Sequence, residues 1–334
     1  MNDIWRLDMS FASRMVVSGM LCFGVCSVAM AHDPVDVRLL SSAETSRYAA
    51  GVEVVGGLAY VADFGALEIF DIRDAKHPVK VGALPLEGAA HEVRVVGGTA
   101  YIAGGFGGLQ IVDVREPQSP QLLGAYDELK EVKGVAVVGN TAYVSGFGGL
   151  QVLDVSDPSA PVLLDSFRTS VEAPYVEVVG TTAYLANRRL GLLIFDVADP
   201  AEIKHVGTFD SPGEAFGVKV VGMVAYVADK SDGLQIVDVS NPESPLVLGA
   251  IDTAGFAMNV DVVGSRAYVA DGESGVHVID IADSGSPVLL GSCGTLDRAF
   301  DVQAVDGVVY VADSKGGFRV LGVESIGCGC CRRD

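Results

Sequence analysis

His91 and Glu92 place an imidazole beside a carboxylate, and Glu131, Glu172 and Glu214 follow at intervals of roughly forty residues. Brought together by a fold, such a set would suit acid–base chemistry or metal-assisted hydrolysis. A second series is acidic. Asp229, Asp271 and Asp313 recur at matching places, with Asp63 and Asn187 in the same role and Gly104 and Ser145 filling out the set. Their oxygens can accept from hydroxyls, amines or calcium, or can cap the turns they stand in, as in Asp229-Lys-Ser-Asp-Gly. No copy matches a dedicated calcium loop. A third group is soft: Cys328, Cys330 and Cys331 lie in the tail Ile326-GCGCCRRD, with Cys293 upstream. Soft-metal binding and a disulfide, within the tail or to Cys293, are both open to these thiols. The five histidines, His32, His77, His91, His205 and His277, fall at unlike places, so no metal-binding trio is expected, and nucleophile-elbow, phosphate-loop and Cys-His motifs are absent.

What must position these residues is a repeat. Tyr60, Tyr101, Tyr143, Tyr184, Tyr226, Tyr268 and Tyr310 recur every 41 or 42 residues, the length of one four-stranded propeller blade. Around each tyrosine lie four short β-rich stretches, a to d, separated by Gly, Asp, Asn, Ser and Pro. The a-to-b turn carries glycine where a tight hairpin needs left-handed backbone angles. The c-to-d turn repeats an Asp or Asn ahead of Pro, as at Asp157-Pro158 and Asp199-Pro200. The seventh copy lacks stretch d, and a d-like stretch, Val37-RLLSSAET, precedes the first. The N-terminal strand is therefore expected to complete the last blade and close the ring without a free edge. The predicted class is all-β: a seven-bladed β-propeller of four-stranded antiparallel blades, one domain over residues 32–325.

These repeats resemble the LVIVD family of bacterial surface propellers. The name string is nearly spelled out in Leu109-QIVDV, Leu150-QVLDV, Leu192-LIFDV and Leu234-QIVDV, with Leu67-EIFDI and Val276-HVIDI close behind. The seventh copy departs, with Gly322 where the others carry Asp. The resemblance implies a secreted or surface-held propeller and implies no reaction.

Residues 1–31 read as a cleavable export signal. Arg14 precedes an apolar run that ends in Ala29-Met30-Ala31, the small-x-small pattern accepted for cleavage. Lipidation at Cys22 or Cys26 is the rival, although Leu21 and Val25 stand where a lipoprotein signal wants a small residue. No other stretch is long and apolar enough for a span, so a periplasmic, extracellular or cell-surface location is expected, as a monomer. The net charge of −20 argues against nucleic acid and anionic membrane surfaces as partners and leaves a cationic partner or a divalent metal compatible.

In a propeller the d-to-a and b-to-c loops share one face, and here the d-to-a loops vary most between copies. Just before each a stretch stand Tyr48, His91 with Glu92, Glu131 with Lys133, Glu172 with Tyr175, Glu214 with Phe216, Phe256 with Met258 and Asn259, and Arg298 with Phe300 and Asp301. Aromatics, carboxylates and cations from different blades suit a glycan, a peptide or another envelope component, or else wedge between blades and face solvent. On stretch a itself Glu53, Arg94, Ala136, Glu177, Lys219, Asp261 and Gln303 should face the channel, and neighbours of opposite sign should pair. Two functions follow: a non-enzymatic binding or scaffold module without a cofactor, and a metal-dependent hydrolase, lyase or isomerase built on His91, Glu92 and the loop carboxylates.

Overall fold

Each repeat alternates apolar residues that face the neighbouring blade with glycine or Asp-Pro turns that reverse the chain, so it can bury both faces only by stacking in a ring. The computed structural model describes residues 33–128 and 131–326, and there the chain forms seven four-stranded antiparallel sheets. Blade 1 is typical, with strand a at Ala49–Val55, b at Leu58–Asp63, c at Ala66–Asp71 and d at Val79–Pro85. The a strands of blades 2 to 7 are Glu92–Val96, Val132–Val138, Tyr175–Val179, Gly217–Val221, Asn259–Val263 and Asp301–Val305. Among the described residues no helix is long and apolar enough to cross a membrane. The export signal and the cysteines at 328, 330 and 331 lie outside the described residues.

The seam closes through the N-terminal strand. Val35–Ala43 pairs antiparallel with Phe318–Ser325, from Val35 opposite Ser325 to Ala43 opposite Phe318. Seven apolar clusters hold the ring, one at each blade interface. The seam cluster joins Val52 and Phe70 of blade 1 to Tyr310, Phe318 and Val320 of blade 7, with Phe70 and Phe318 stacked 5.2 Å apart. Each fully buried side chain of this size contributes about 1.5–3 kcal/mol.

The outer edges are bent as well as packed. The c–d pair shifts register in every blade, between Ile69 and Phe70 in blade 1 and between Leu39 and Ser41 at the seam. Such bulges twist an edge strand away from intermolecular pairing. Close beside the bulge a glycine recurs because the next blade's c–d corner presses on it. A Cβ on Gly82 would stand 1.8 Å from the Pro117 carbonyl oxygen, and one on Gly207 as close to that of Pro242. Blade 3 has Asp165 there instead, and its carboxylate accepts from Ile203 N at 2.8 Å.

Candidate functional site

The chain enters each a strand with the period-two alternation of extended backbone, and this sorts the entry residues into tiers. Ala49, Ala90, Val132, Ala173, Ala215, Ala257 and Ala299 turn into the blade interfaces and are buried. The next residues, Ala50, His91, Lys133, Pro174, Phe216, Met258 and Phe300, all line one cavity of about 230 Å³ over the channel mouth, joined by Phe64 and Glu172. Beneath them comes a ring of Gly51, Glu92, Gly134, Tyr175, Gly217, Asn259 and Asp301, whose four larger members floor the cavity.

That floor follows a packing rule. Glycine alternates with a larger side chain because successive a strands approach closely at this level. A Cβ on Gly51 would lie 2.9 Å from Glu92 Cα, and one on Gly217 2.8 Å from Asn259 Cα. Seven is odd, so one pair of neighbours must both be large. These are Asn259 and Asp301, and they bond, Asn259 Nδ2 donating to Asp301 Oδ1 at 2.5 Å.

Carboxylates stitch the a strands together around the ring. Glu92 Oε2 accepts from Val135 N at 2.9 Å, Asp301 Oδ2 from Val52 N at 2.8 Å, Glu53 Oε2 from Val95 N at 2.9 Å and Asp261 Oδ2 from Ala304 N at 2.9 Å. Each joins one blade to the next, so the channel ring is first a circumferential belt. The expected sign pairing is present too: Arg94 Nη1 lies 3.9 Å from Glu53, and Lys219 Nζ lies 3.4 Å from Glu177 and 3.7 Å from Asp261. Tyr175, Asn259 and Asp301 border both the cavity and the channel below, which encloses about 210 Å³.

Arg94 is the hub of this floor. Its Nη2 is 2.5 Å from Glu92 Oε1 and donates to the Tyr175 hydroxyl. Burial pushes Glu92 up to about 8, even though the Arg94 guanidinium pulls the other way. Burial likewise raises Asp301 and Glu53 against the pull of Arg94, and Glu177 against that of Lys219. One guanidinium shared among several carboxylates does not offset their lost hydration.

His91 is tied to the Lys133 ammonium. Burial first, and the Lys133 ammonium second, drive it down to about 3. It is neutral near pH 7, and its Nε2 accepts from Lys133 Nζ at 2.9 Å. With that nitrogen occupied by a cation, His91 and Glu92 form no acid–base couple, and Glu92 turns to Arg94 instead. Among the described residues no group of three or more His, Cys, Asp or Glu is arranged to hold a metal ion.

Of the predicted site residues, His91, Glu92, Glu172, Tyr175, Phe216, Asn259, Phe300 and Asp301 meet at the cavity. Tyr48, Glu131, Glu214, Phe256 and Arg298 do not line it. They stand one alternation earlier in the chain, as does Glu172, and belong to the rim. Along one arc the rim is an ion chain, in which Lys133 meets Glu131 at 2.5 Å, Arg188 bonds Glu172 and Glu214 at 2.9 Å each, and Lys230 meets Glu214 at 2.8 Å. Arg188 and Lys230 both lie over the Phe216 ring, at 5.1 and 5.3 Å from its centroid. Elsewhere Tyr48 meets Phe64 edge-on, and Arg298 pairs with Glu273 at 2.7 Å. The residues expected at the site do not include Phe64, Arg188 and Lys230, which sit in b–c loops; their signal in the sequence is that each directly follows an aligned polar position, Asp63, Asn187 or Asp229.

The aspartates of the b–c loops hold neighbouring loops in place. Asp229 accepts from Ser211 Oγ at 2.6 Å and Gly213 N at 2.9 Å, and Asp271 from Thr253 Oγ1 at 2.6 Å, Gly255 N at 2.7 Å and His277 Nε2 at 2.9 Å. Asp313 accepts from Leu296 N at 2.9 Å and faces Arg319 Nε at 3.2 Å. All three are completely buried. In blade 3 the equivalent position is Gly146 rather than Ser145: Gly146 pairs with Val132 as Asp63 pairs with Ala49. In blade 2, where this position is glycine, Gln110 of strand c reaches the loop instead. A Cβ on Gly104 would meet Gln110 Nε2 at 2.3 Å, and that nitrogen donates to the Glu87 carbonyl at 2.7 Å.

Seven blades thus enclose a channel of about 210 Å³ and, above it on the loop face, a walled cavity of about 230 Å³. The model for the LVIVD repeat matches residues 46–84, 87–128, 130–169, 172–211, 212–253 and 254–295, most of the chain. The chain belongs to the LVIVD repeat family. The seventh copy lies outside those matches, in keeping with Gly322 and a d strand supplied from the N-terminus. The crystal structure of the computationally designed Ika8 protein is similar in fold, with a TM-score of 0.62 at 10% identity, covering 85% of this chain and 99% of that one. None of the curated proteins matches the chain.

Proposed function

We propose that this chain is a non-enzymatic binding module, exported to the cell envelope or beyond, that takes a glycan, a peptide or another envelope component into its loop-face cavity. The observation carrying this reading is that all seven blades contribute an entry residue to a single cavity, and among those seven only phenylalanine, in blades 5 and 7, occurs twice. A frame that only had to close would repeat itself there, as it does in the turns of the opposite face. The export reading rests on the apolar run before Ala31 and its small-x-small end. An enzymatic reading gains no support from the site, because Lys133 engages His91, the one imidazole lining the cavity among the described residues.

The test is an array of envelope glycans and peptides, run with and without calcium, comparing the unaltered protein with Ala50→Phe, which fills the cavity from its wall. Ligands retained by the first and lost by the second, at equal melting temperature, support the module. Retention unchanged by the filled cavity, or metal-dependent turnover of any array member, would remove it.

A further inference from the structure

We infer that the cavity receives one bulky apolar side chain, indole above all, of an extended peptide whose flanking residues are basic. The inference rests on the binding role proposed above and names its ligand class.

Three features select this occupant over a sugar. The polar atoms of the floor are largely engaged by the protein itself. Asp301 accepts from Val52 N, Val302 N and Asn259, and Glu92 Oε2 from Val135 N; Glu92 Oε1 takes no hydrogen bond and is held in an ion pair, 2.5 Å from Arg94 Nη2. A sugar, with a hydroxyl on nearly every carbon, would bury groups that find few free partners, at a cost of about 1–3 kcal/mol each. The walls offer Phe64, Phe216, Phe300, Met258 and Pro174 instead, edges and faces suited to another ring. The size agrees as well. At about 230 Å³ the cavity falls below the roughly 300–1,000 Å³ of sites for whole small molecules and matches a single large side chain.

The surroundings choose the rest of the ligand. Phe106 and Leu296 are each 78% exposed, and Phe256 52%, in three different loops of the same face. Exposed apolar residues on the face that carries the cavity are what an extended segment could cover beyond its anchor. The ion chain on the rim is internally neutralised and sets no local preference. The net charge of −20 then decides at long range, drawing in a basic peptide and repelling an acidic one.

The chain's only tryptophan is Trp5, inside the segment read as the export signal, so the processed protein, or Trp5→Phe in the full chain, is dark under tryptophan-selective excitation and a ligand's indole is read directly. The probes are a heptapeptide with one tryptophan between lysine pairs, the same peptide with alanine for tryptophan, the same with glutamates for lysines, and maltoheptaose. The lysine–tryptophan peptide should bind with a blue-shifted indole. Alanine for tryptophan should weaken binding at least about tenfold, as displacement of the bound peptide reports. Glutamate flanks should weaken it in low salt, and Ala50→Phe should abolish it at unchanged melting temperature. Should Ala50→Phe fail to fold, Phe300→Ala must lower the affinity instead. Equal binding of the tryptophan and alanine peptides, or a tryptophan peptide that ignores both substitutions, overturns the inference. Maltoheptaose held in the cavity while the tryptophan peptide is not would overturn it and leave the binding role standing. Failure of every peptide, of maltoheptaose and of the array would remove both.

Discussion

The turn face and the loop face are made from the same seven repeats, and they solve their local problems in opposite ways. On the turn face one solution is copied throughout. The a–b turns place Gly56, Gly97, Gly139, Gly180, Gly222 and Gly264 at φ between 58° and 62°, with Asp306 at 51° in blade 7. The c–d corners repeat one bond, in which an Asp accepts from the amide two residues on, as with Asp113 and Arg115 N, Asp154 and Ser156 N, and Asp238 and Ser240 N. On the loop face a single task, holding the d–a loop against strand b, falls to Asp229 in blade 5, to Asp271 with His277 in blade 6, to Asp313 with Arg319 in blade 7 and to Gln110 in blade 2. Tight reversals admit few sequences; a buried acceptor can be supplied from several positions. The loop face is therefore free to specialise while the ring stays the same.

If buried loop anchors matter more than exposed corners, the largest loss should come where removing one partner strands the other. Asp313→Ala leaves Arg319, whose side chain is 8% exposed, and Leu296 N without their acceptor. The expected loss is about 3–5 kcal/mol of unfolding free energy by urea titration. Adding Arg319→Leu should recover part of it, since Leu193 already occupies the corresponding place in blade 4, opposite Leu185. A double variant no better than the single one would mean that the stranded guanidinium is not the cause.

Asp229→Ala should cost less, about 1–3 kcal/mol, because it frees only Ser211 Oγ and Gly213 N and strands no charge. Equal losses at Asp229 and Asp313 would show that the charge partner adds nothing, and the contrast among blades would reduce to hydrogen-bond count.

The turn face was legible in the sequence almost to the residue, and the loop face only in outline. Glycine at φ near 60° and Asp ahead of Pro leave a local signature, and the missing d stretch of the last repeat pointed to Val37–Leu40. The pairing confirms this with a small shift, Leu39 lying opposite Leu321. The site was harder because its tiers depend on which residue of each entry segment turns inward. Nearness in the chain groups Tyr48 and Phe256 with Phe300, yet the alternation of extended backbone sends them to the rim. Phe64 and Arg188 arrive from another loop, which nearness in the chain does not reveal. The pairing of Gln110 with the vacancy at Gly104 could not be read at all, being a compensation between strands that no single repeat displays.

The same comparison extends to pH. Glu92 is held near 8 in the fold against an ordinary 4.5, so its contribution is complete below 4.5 and is lost as pH rises toward 8. His91 lies near 3 against 6.5; its contribution is complete above 6.5 and is lost as pH falls toward 3. Between 6.5 and 8 only the Glu92 term of this pair changes, so the protein should melt lower at pH 8 than at pH 6.5. Glu92→Gln, which keeps an acceptor for Val135 N, should flatten that slope. An unchanged slope in Glu92→Gln would place the titrating proton elsewhere in the channel.

The smallest effect is expected on the turn face, and it is the one that closes the argument. Asp238 accepts from Ser240 N at 2.8 Å, and this bond holds it below the usual carboxylate range. The corner stands in water, which can replace the carboxylate as acceptor for Ser240 N. The turn is also held by Pro242 and by the backbone bond from Ser244 N to the Asn241 carbonyl at 3.0 Å. Asp238→Ala should therefore shift the urea midpoint less than Asp229→Ala, even though both remove one repeated aspartate from one blade. If instead the corner substitution proved the more damaging, the uniformity of the turn face would have to be read as energetic necessity, and the diversity of the loop anchors as a sign that each carries little.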